Sequence, residues 1–189
     1  MNKLFLYLLL VLNVCAQAQE DCKFTVVDSG EGKEYKSTKE YVMYEKVFGG
    51  TSTFVFFSLA APDGVPVLNF QLLAKSDEFP PAYCIDKNSR IYMQLTNGKI
   101  ITLINVFDER CSTLLYDSEN KKNIRVLTGS FLFTKGTLED LEKFPISFMR
   151  IKYSTETVDY PVRNELTSET NNEKYFPDKY FMNYLKCLE

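Results

Sequence analysis

Residues 90–104 read Arg-Ile-Tyr-Met-Gln-Leu-Thr-Asn-Gly-Lys-Ile-Ile-Thr-Leu-Ile, two β-rich runs on either side of an Asn-Gly pair. Asn and Gly tolerate the positive φ of a type I′ turn, so the segment predicts a two-residue hairpin closed at Asn97 and Gly98. On that register Ile91, Met93 and Leu95 oppose Ile100, Thr102 and Ile104. Tyr92, Gln94, Ile101 and Leu103 take the other face. Both faces are apolar enough to set the hairpin in the middle of a sheet rather than at its edge.

The first eighteen residues carry the three parts of a secretory signal. Lys3 supplies the positive charge, residues 4–12 form an uncharged apolar run, and Ala16 and Ala18 are the small residues a signal peptidase requires. The run is shorter than the roughly 20 residues that span a bilayer, so cleavage after Ala18 and release outside the cytosol are expected, with no transmembrane segment. Residues 19–189 then form a single β-rich domain, secreted or periplasmic.

Four cysteines remain after that cleavage: Cys22, Cys84, Cys111 and Cys187. An even number in an exported chain reads as two disulfides, and four cysteines allow three connectivities. In a two-residue hairpin, paired residues have numbers with a constant total. Cys84 and Cys111 share the total of Asn97 and Gly98. This favours a Cys84–Cys111 bridge and leaves Cys22–Cys187 to join the two ends of the chain, all four with structural roles.

A second hairpin is signalled by residues 53–59 and 65–73 around Pro62-Asp63-Gly64. Its run Phe54-Val55-Phe56-Phe57 would promote aggregation if exposed and is expected to be buried on both faces. Strands are expected at 23–27 and 40–47 with a charged loop at 28–39 between them, and again at 124–133, 146–153 and 155–162. A short helix is expected at 137–143, with Thr137 to Asp140 as a capping box and Leu138 and Leu141 facing inward. The chain closes on a helix opened by Pro177 and Asp178, whose Tyr180, Phe181, Tyr184, Leu185 and Leu188 recur at three- and four-residue steps. Eight or nine short strands with Gly and Pro turns make the fold mainly β: an antiparallel sandwich or barrel-like domain with a short helix and a C-terminal helix packed on the sheet.

The chain contains no histidine. That removes the usual general base of serine and cysteine hydrolases and the commonest ligand of catalytic zinc, copper and non-haem iron. No nucleophile elbow, P-loop or dinucleotide fingerprint is present, and the sequence implies no cofactor or metal. With 22 Lys and Arg against 25 Asp and Glu, the charge is mildly acidic and interspersed, which excludes an electrostatic footprint for nucleic acid. Of the acids near turns, Asp63 reads as turn chemistry, Glu139 and Asp140 as helix-start stabilisation, and Asp108 and Glu109 as a solvated loop, with calcium binding as the alternative.

Eleven tyrosines follow Ala18, and Tyr35, Tyr41, Tyr44, Tyr83 and Tyr116 fall near loops or strand ends, the candidate positions for a binding surface. The reading from sequence is therefore a non-catalytic exported β domain that binds a protein partner or an envelope component. A hydrolase using two carboxylates on polysaccharide is the first alternative, and a barrel carrying a small apolar ligand is the second.

Overall fold

The computed structural model describes residues 22–28 and 34–188. The expected export signal and its cleavage point lie outside the described residues. The protein is mainly β and antiparallel. In chain order the strands are β1 (Phe24–Asp28), β2 (Glu34–Thr38), β3 (Tyr41–Phe48), β4 (Thr51–Ala60), β5 (Val67–Ser76), β6 (Cys84–Ile85), β7 (Arg90–Leu95) and β8 (Ile100–Asn105). They continue with β9 (Arg110–Cys111), β10 (Thr113–Asp117), β11 (Lys122–Phe133), β12 (Ile146–Lys152), β13 (Thr157–Pro161), β14 (Leu166–Thr167) and β15 (Lys174–Tyr175). Helix α1 spans Leu138–Lys143, and α2 (Tyr180–Tyr184) is flanked by single 3₁₀ turns at Pro177–Lys179 and Leu185–Leu188.

One sheet carries the fold, in the order β1-β2-β4-β5-β11-β8-β7-β12-β13, with β3 also on β4 and β10 also on β11. Phe70 on β5 and Tyr153 at the end of β12 are four strands apart in that order, which would be about 19 Å in a flat sheet. Their ring centroids are 6.5 Å apart. Tyr44 on β3 and Tyr160 on β13 lie seven strands apart, about 34 Å when flat, yet their rings meet at 5.1 Å. The sheet therefore folds over on itself into two facing layers. No ladder joins β13 back to β1 or β3 among the described residues, so it is sandwich-like and not a closed barrel.

Alternation explains what fills the space between the layers. Val55, Phe57 and Leu59 on β4 and Leu68, Phe70 and Leu72 on β5 point inward and are buried. The turn between these strands uses Asp63 at φ 52° and Gly64 at φ 79°, the left-handed backbone that Asp and Gly accept. On β11, Gly129 lies under Ile85, and a Cβ added there would overlap Ile85 Cδ1. The absence of a side chain at 129 lets the 84–85 segment pack on the sheet. Tyr153 and Tyr160 share a buried hydroxyl–hydroxyl hydrogen bond of 2.8 Å, and burial raises both phenols far above their ordinary range.

The central hairpin departs from the expected turn. Met93 pairs with Ile101 and Ile91 with Leu103, and Leu95 N–H donates to Lys99 O. The loop is thus three residues, Thr96-Asn97-Gly98, with positive φ at Gly98 and not at Asn97. The one-residue slip moves Ile101 and Leu103 to the core face beside Ile91, Met93 and Leu95, and puts Ile100, Thr102 and Ile104 outside. Burial decided it: Ile101 and Leu103 are the more buried set.

The bridges join Cys84 to Cys111 and Cys22 to Cys187. Cys84 and Cys111 face each other in a separate two-residue ladder of β6 and β9, not in a continuation of the hairpin. Three further expectations are corrected. Within the expected loop at 28–39, Glu34–Thr38 is strand β2, paired with β1. The capping box does not form: Thr137 Oγ1 donates to Thr134 O, and Asp140 pairs with Lys99 at 2.8 Å. Strands number fifteen among the described residues, because β9, β14 and β15 are too short to show periodicity, and β10 is apolar on both faces without alternation.

Tyr180 and Phe181 of α2 insert between the layers, in ring contact with Phe57 at 6.0 and 6.3 Å, and Phe181 meets Phe133 at 5.9 Å. Cys187, one turn on, ties this end to Cys22. Asp178 opens the segment and is buried where the 177–179 turn touches β3 and β12. Burial raises its carboxyl above the usual aspartate value, and one oxygen has no hydrogen-bond partner among the described residues. A raised native pKa means the folded state holds its proton to higher pH than the unfolded one. Stability from this group is therefore full below the unfolded value and falls as pH rises through the native one. Asp178→Asn should raise the melting temperature at neutral pH, and the gain should vanish below about pH 3. A lower melting temperature for the variant at pH 7 would contradict this.

Candidate binding face

The outward residues of β3, β4, β5 and β11 form cross-strand rows that the register defines. Ser58, Asn69 and Ser130 make one row; Val42, Phe56, Gln71 and Thr128 make the next; Glu45, Phe54, Leu73 and Val126 make the third. The face thus changes from hydroxyl and amide groups to apolar ones across about 14 Å, with Phe56 at the boundary. Phe54 and Phe56 stack at 5.9 Å, as residues two apart on one strand face do.

Each zone has a wall. At the polar end the ladder of β2 with β4 is the single pair Ser37 and Ala60, and residues of β1 and β2 border the face. Ser37 Oγ donates to Ser58 Oγ at 3.1 Å, Ser130 Oγ to Asn69 Oδ1 at 2.9 Å, and Leu59 N–H to Thr38 Oγ1 at 2.9 Å. Tyr35, Thr25 and Arg110 border the resulting groove of about 370 Å³.

At the apolar end a strap, residues 166–175, lies over β3. It is closed by the β14–β15 ladder and by the backbone bond from Ser168 N–H to Glu173 O at 2.9 Å. Glu45, buried on β3, accepts Glu169 N–H at 2.9 Å, and Phe176 N–H donates to Tyr41 Oη at 2.6 Å. Beneath the strap runs a groove of about 580 Å³ with Val42, Phe54, Phe56 and Leu73 as its floor. Lys39, Glu40 and Lys75 stand on its rim with Glu173 and Tyr175 of the strap. Opposite charges alternate there, so the rim favours no single sign of ligand.

The five tyrosines singled out by sequence do not form one patch. Tyr35 borders the polar groove; Tyr41 packs against Tyr175, Tyr180 and Tyr184; Tyr44 packs on Tyr160 and Tyr83 on Tyr153. Tyr116 is exposed on β10. The acids near turns are likewise separate: Asp63 sits in its turn, Asp108 pairs with Lys87 at 3.0 Å, and Asp140 with Lys99, while Glu139 lies in the first turn of α1. Glu109 lies beside the Cys84–Cys111 bridge, whose sulfurs are bonded to each other.

Sequence reasoning missed Phe56, Gln71 and Asn69 as surface groups, although their alternation with Phe57, Phe70 and Leu72 was visible. What it lacked was which alternate set faces in. Among the described residues no helix is long and apolar enough to cross a membrane. The chain matches no known protein-family model, no curated protein and no solved structure.

Proposed function

We propose that this chain is an exported, non-catalytic binding domain whose ligand lies across the outer face of β3, β4, β5 and β11. The two disulfides support the exported setting, since such bridges persist in oxidising compartments. The observation that carries the reading is the zoned face, hydroxyl and amide rows beside an apolar floor under the strap. Such a face suits an amphiphilic ligand of the cell envelope, its hydroxyl-rich part over Asn69 and Gln71 and its apolar part over Phe54 and Leu73. The space between the layers is filled by Phe57, Phe70, Phe131, Tyr153, Tyr180 and Phe181, which favours a surface ligand over one carried inside.

An alkyl glucoside below its micellar concentration is a suitable probe, titrated into the protein and followed by amide chemical shifts. Saturable perturbation of residues around Phe54, Phe56, Gln71 and Leu73 is expected. Phe56→Asp should weaken binding by about tenfold, since a half-buried ring contributes on the order of 1–2 kcal/mol of apolar contact. Perturbation confined to another face, or release of reducing ends from envelope polysaccharide, would overturn the proposal.

A further inference from the structure

The edge of the sheet at β10 is open and apolar. Among the described residues β10 forms a strand ladder with β11 alone, and Leu114, Leu115 and Tyr116 are 41%, 53% and 63% exposed. Both faces of the strand and its outer rim meet solvent. A free strand edge presents unpaired N–H and C=O groups, and proteins usually blunt it with proline, lysine, a bulge or a cover. Two other edges are blunted: β13 ends in Pro161, and the register of β3 shifts between Val42 and Tyr44, whereas β1 is unshifted over its five pairs with β2. β10 has none of these devices. Its sequence is Thr-Leu-Leu-Tyr-Asp, and its register with β11 is unshifted over all five pairs.

We propose that a second copy of this chain adds its own β10 to this edge, antiparallel, about a two-fold axis through Leu115. Symmetry restricts the choice, because directly opposed residues in an antiparallel pair share a face, and the residue on the axis must pair with itself. An axis at Leu115 sets Leu114 against the partner's Tyr116 twice, and Thr113 against the partner's Asp117 twice. That arrangement pairs every apolar group with another and brings no like charges face to face, while each Asp117 carboxylate keeps its bonds from Glu119 N–H and from Asn120. An axis at Tyr116 sets Asp117 against Leu115, and one at Leu114 sets Tyr116 against Ser112; each leaves apolar groups mismatched. One added strand pair covers less than the roughly 1,200 Å² of a standard stable complex. The dimer is therefore a concentration-dependent one. This surface is separate from the groove under the strap, and the inference stands without the ligand reading.

The test is sedimentation velocity on the protein, expressed with its own N-terminal segment and purified as its host processes it, from micromolar to millimolar concentration. The average mass should rise toward two chains. Leu115→Lys, at an exposed position that keeps the fold, should shift that rise at least tenfold higher in concentration, with an unchanged circular dichroism spectrum. Oxidative cross-linking gives a readout that general stickiness would not move. Leu115→Cys should link to itself, Thr113→Cys alone should not, and a mixture of Thr113→Cys with Asp117→Cys should. A monomer at millimolar concentration, self-association indifferent to Leu115→Lys, or Thr113→Cys linking to itself as well as Leu115→Cys would each overturn the proposal.

Discussion

Replacing both Cys22 and Cys187 with serine should lower the unfolding free energy by about 5 kcal/mol, the larger effect of the two bridges. The bond closes 165 residues of sequence, so its loss frees nearly the whole unfolded chain, whereas Cys84–Cys111 closes only 27. Chain-entropy reasoning gives the shorter loop about 3.5 kcal/mol. For a chain of this size the terminal bridge then corresponds to a fall in melting temperature of roughly 10–20 °C. The native state loses something as well. Cys187 follows α2, whose Tyr180 and Phe181 sit between the layers, and without the bond those rings are held by packing alone. Calorimetry of the two double-serine variants would decide the ranking. If the 84–111 pair proves more costly to remove, the loop-length account fails. Should the terminal variant not fold at all, intact protein with and without reductant supplies the same comparison.

Phe57→Ala is expected to cost about 3–5 kcal/mol, while Phe56→Ala, its immediate neighbour, should cost roughly 1 kcal/mol. The difference comes from which side of the sheet each ring occupies. Phe57 is 0% exposed and meets Phe70, Tyr180 and Phe181, so its removal leaves a cavity where the C-terminal helix docks. Phe56 stands half-buried on the outer face, next to Phe54 in the floor of the groove. A double-mutant cycle of Phe57→Ala with Phe181→Ala should show coupling of about 0.5–3 kcal/mol, because the two rings share the space that would empty. Additive losses would mean that α2 docks independently of β4. Urea unfolding of the four proteins measures both quantities, and a Phe56→Ala cost equal to that of Phe57→Ala would contradict the assignment of faces.

The same contrast separates what local chemistry could reveal from what it could not. The β propensity of residues 53–59 and 65–73, the Pro-Asp-Gly turn, the stripe of Tyr180, Phe181 and Leu185, and the parity of cysteines are properties of short stretches. They specified strands, a helix and bridges before any coordinates. The total shared by Cys84 and Cys111 named the right partners for a wrong reason, since the ladder that joins them is not the hairpin's. At residues 95–99 a two-residue and a three-residue turn are both compatible with Asn-Gly. The choice between them turned on burying Ile101 and Leu103 against a layer far away in the chain.

The candidate binding face was hidden for a related reason. Ser58, Asn69 and Ser130 belong to three strands, as do Phe56, Gln71 and Thr128, and only pairing sets them in rows. The strap over that face depends on Glu45 receiving a backbone N–H from Glu169, more than a hundred residues away. The amino-acid order by itself determined an exported-looking, histidine-free, antiparallel chain with two sulfur bridges and a terminal amphipathic helix. Tertiary structure alone decided which side of each strand is inside, where the sheet turns back on itself, and which edge stays open. Periodicity and turn chemistry act over a few residues, while register and burial are settled by surfaces that meet only after the chain has closed.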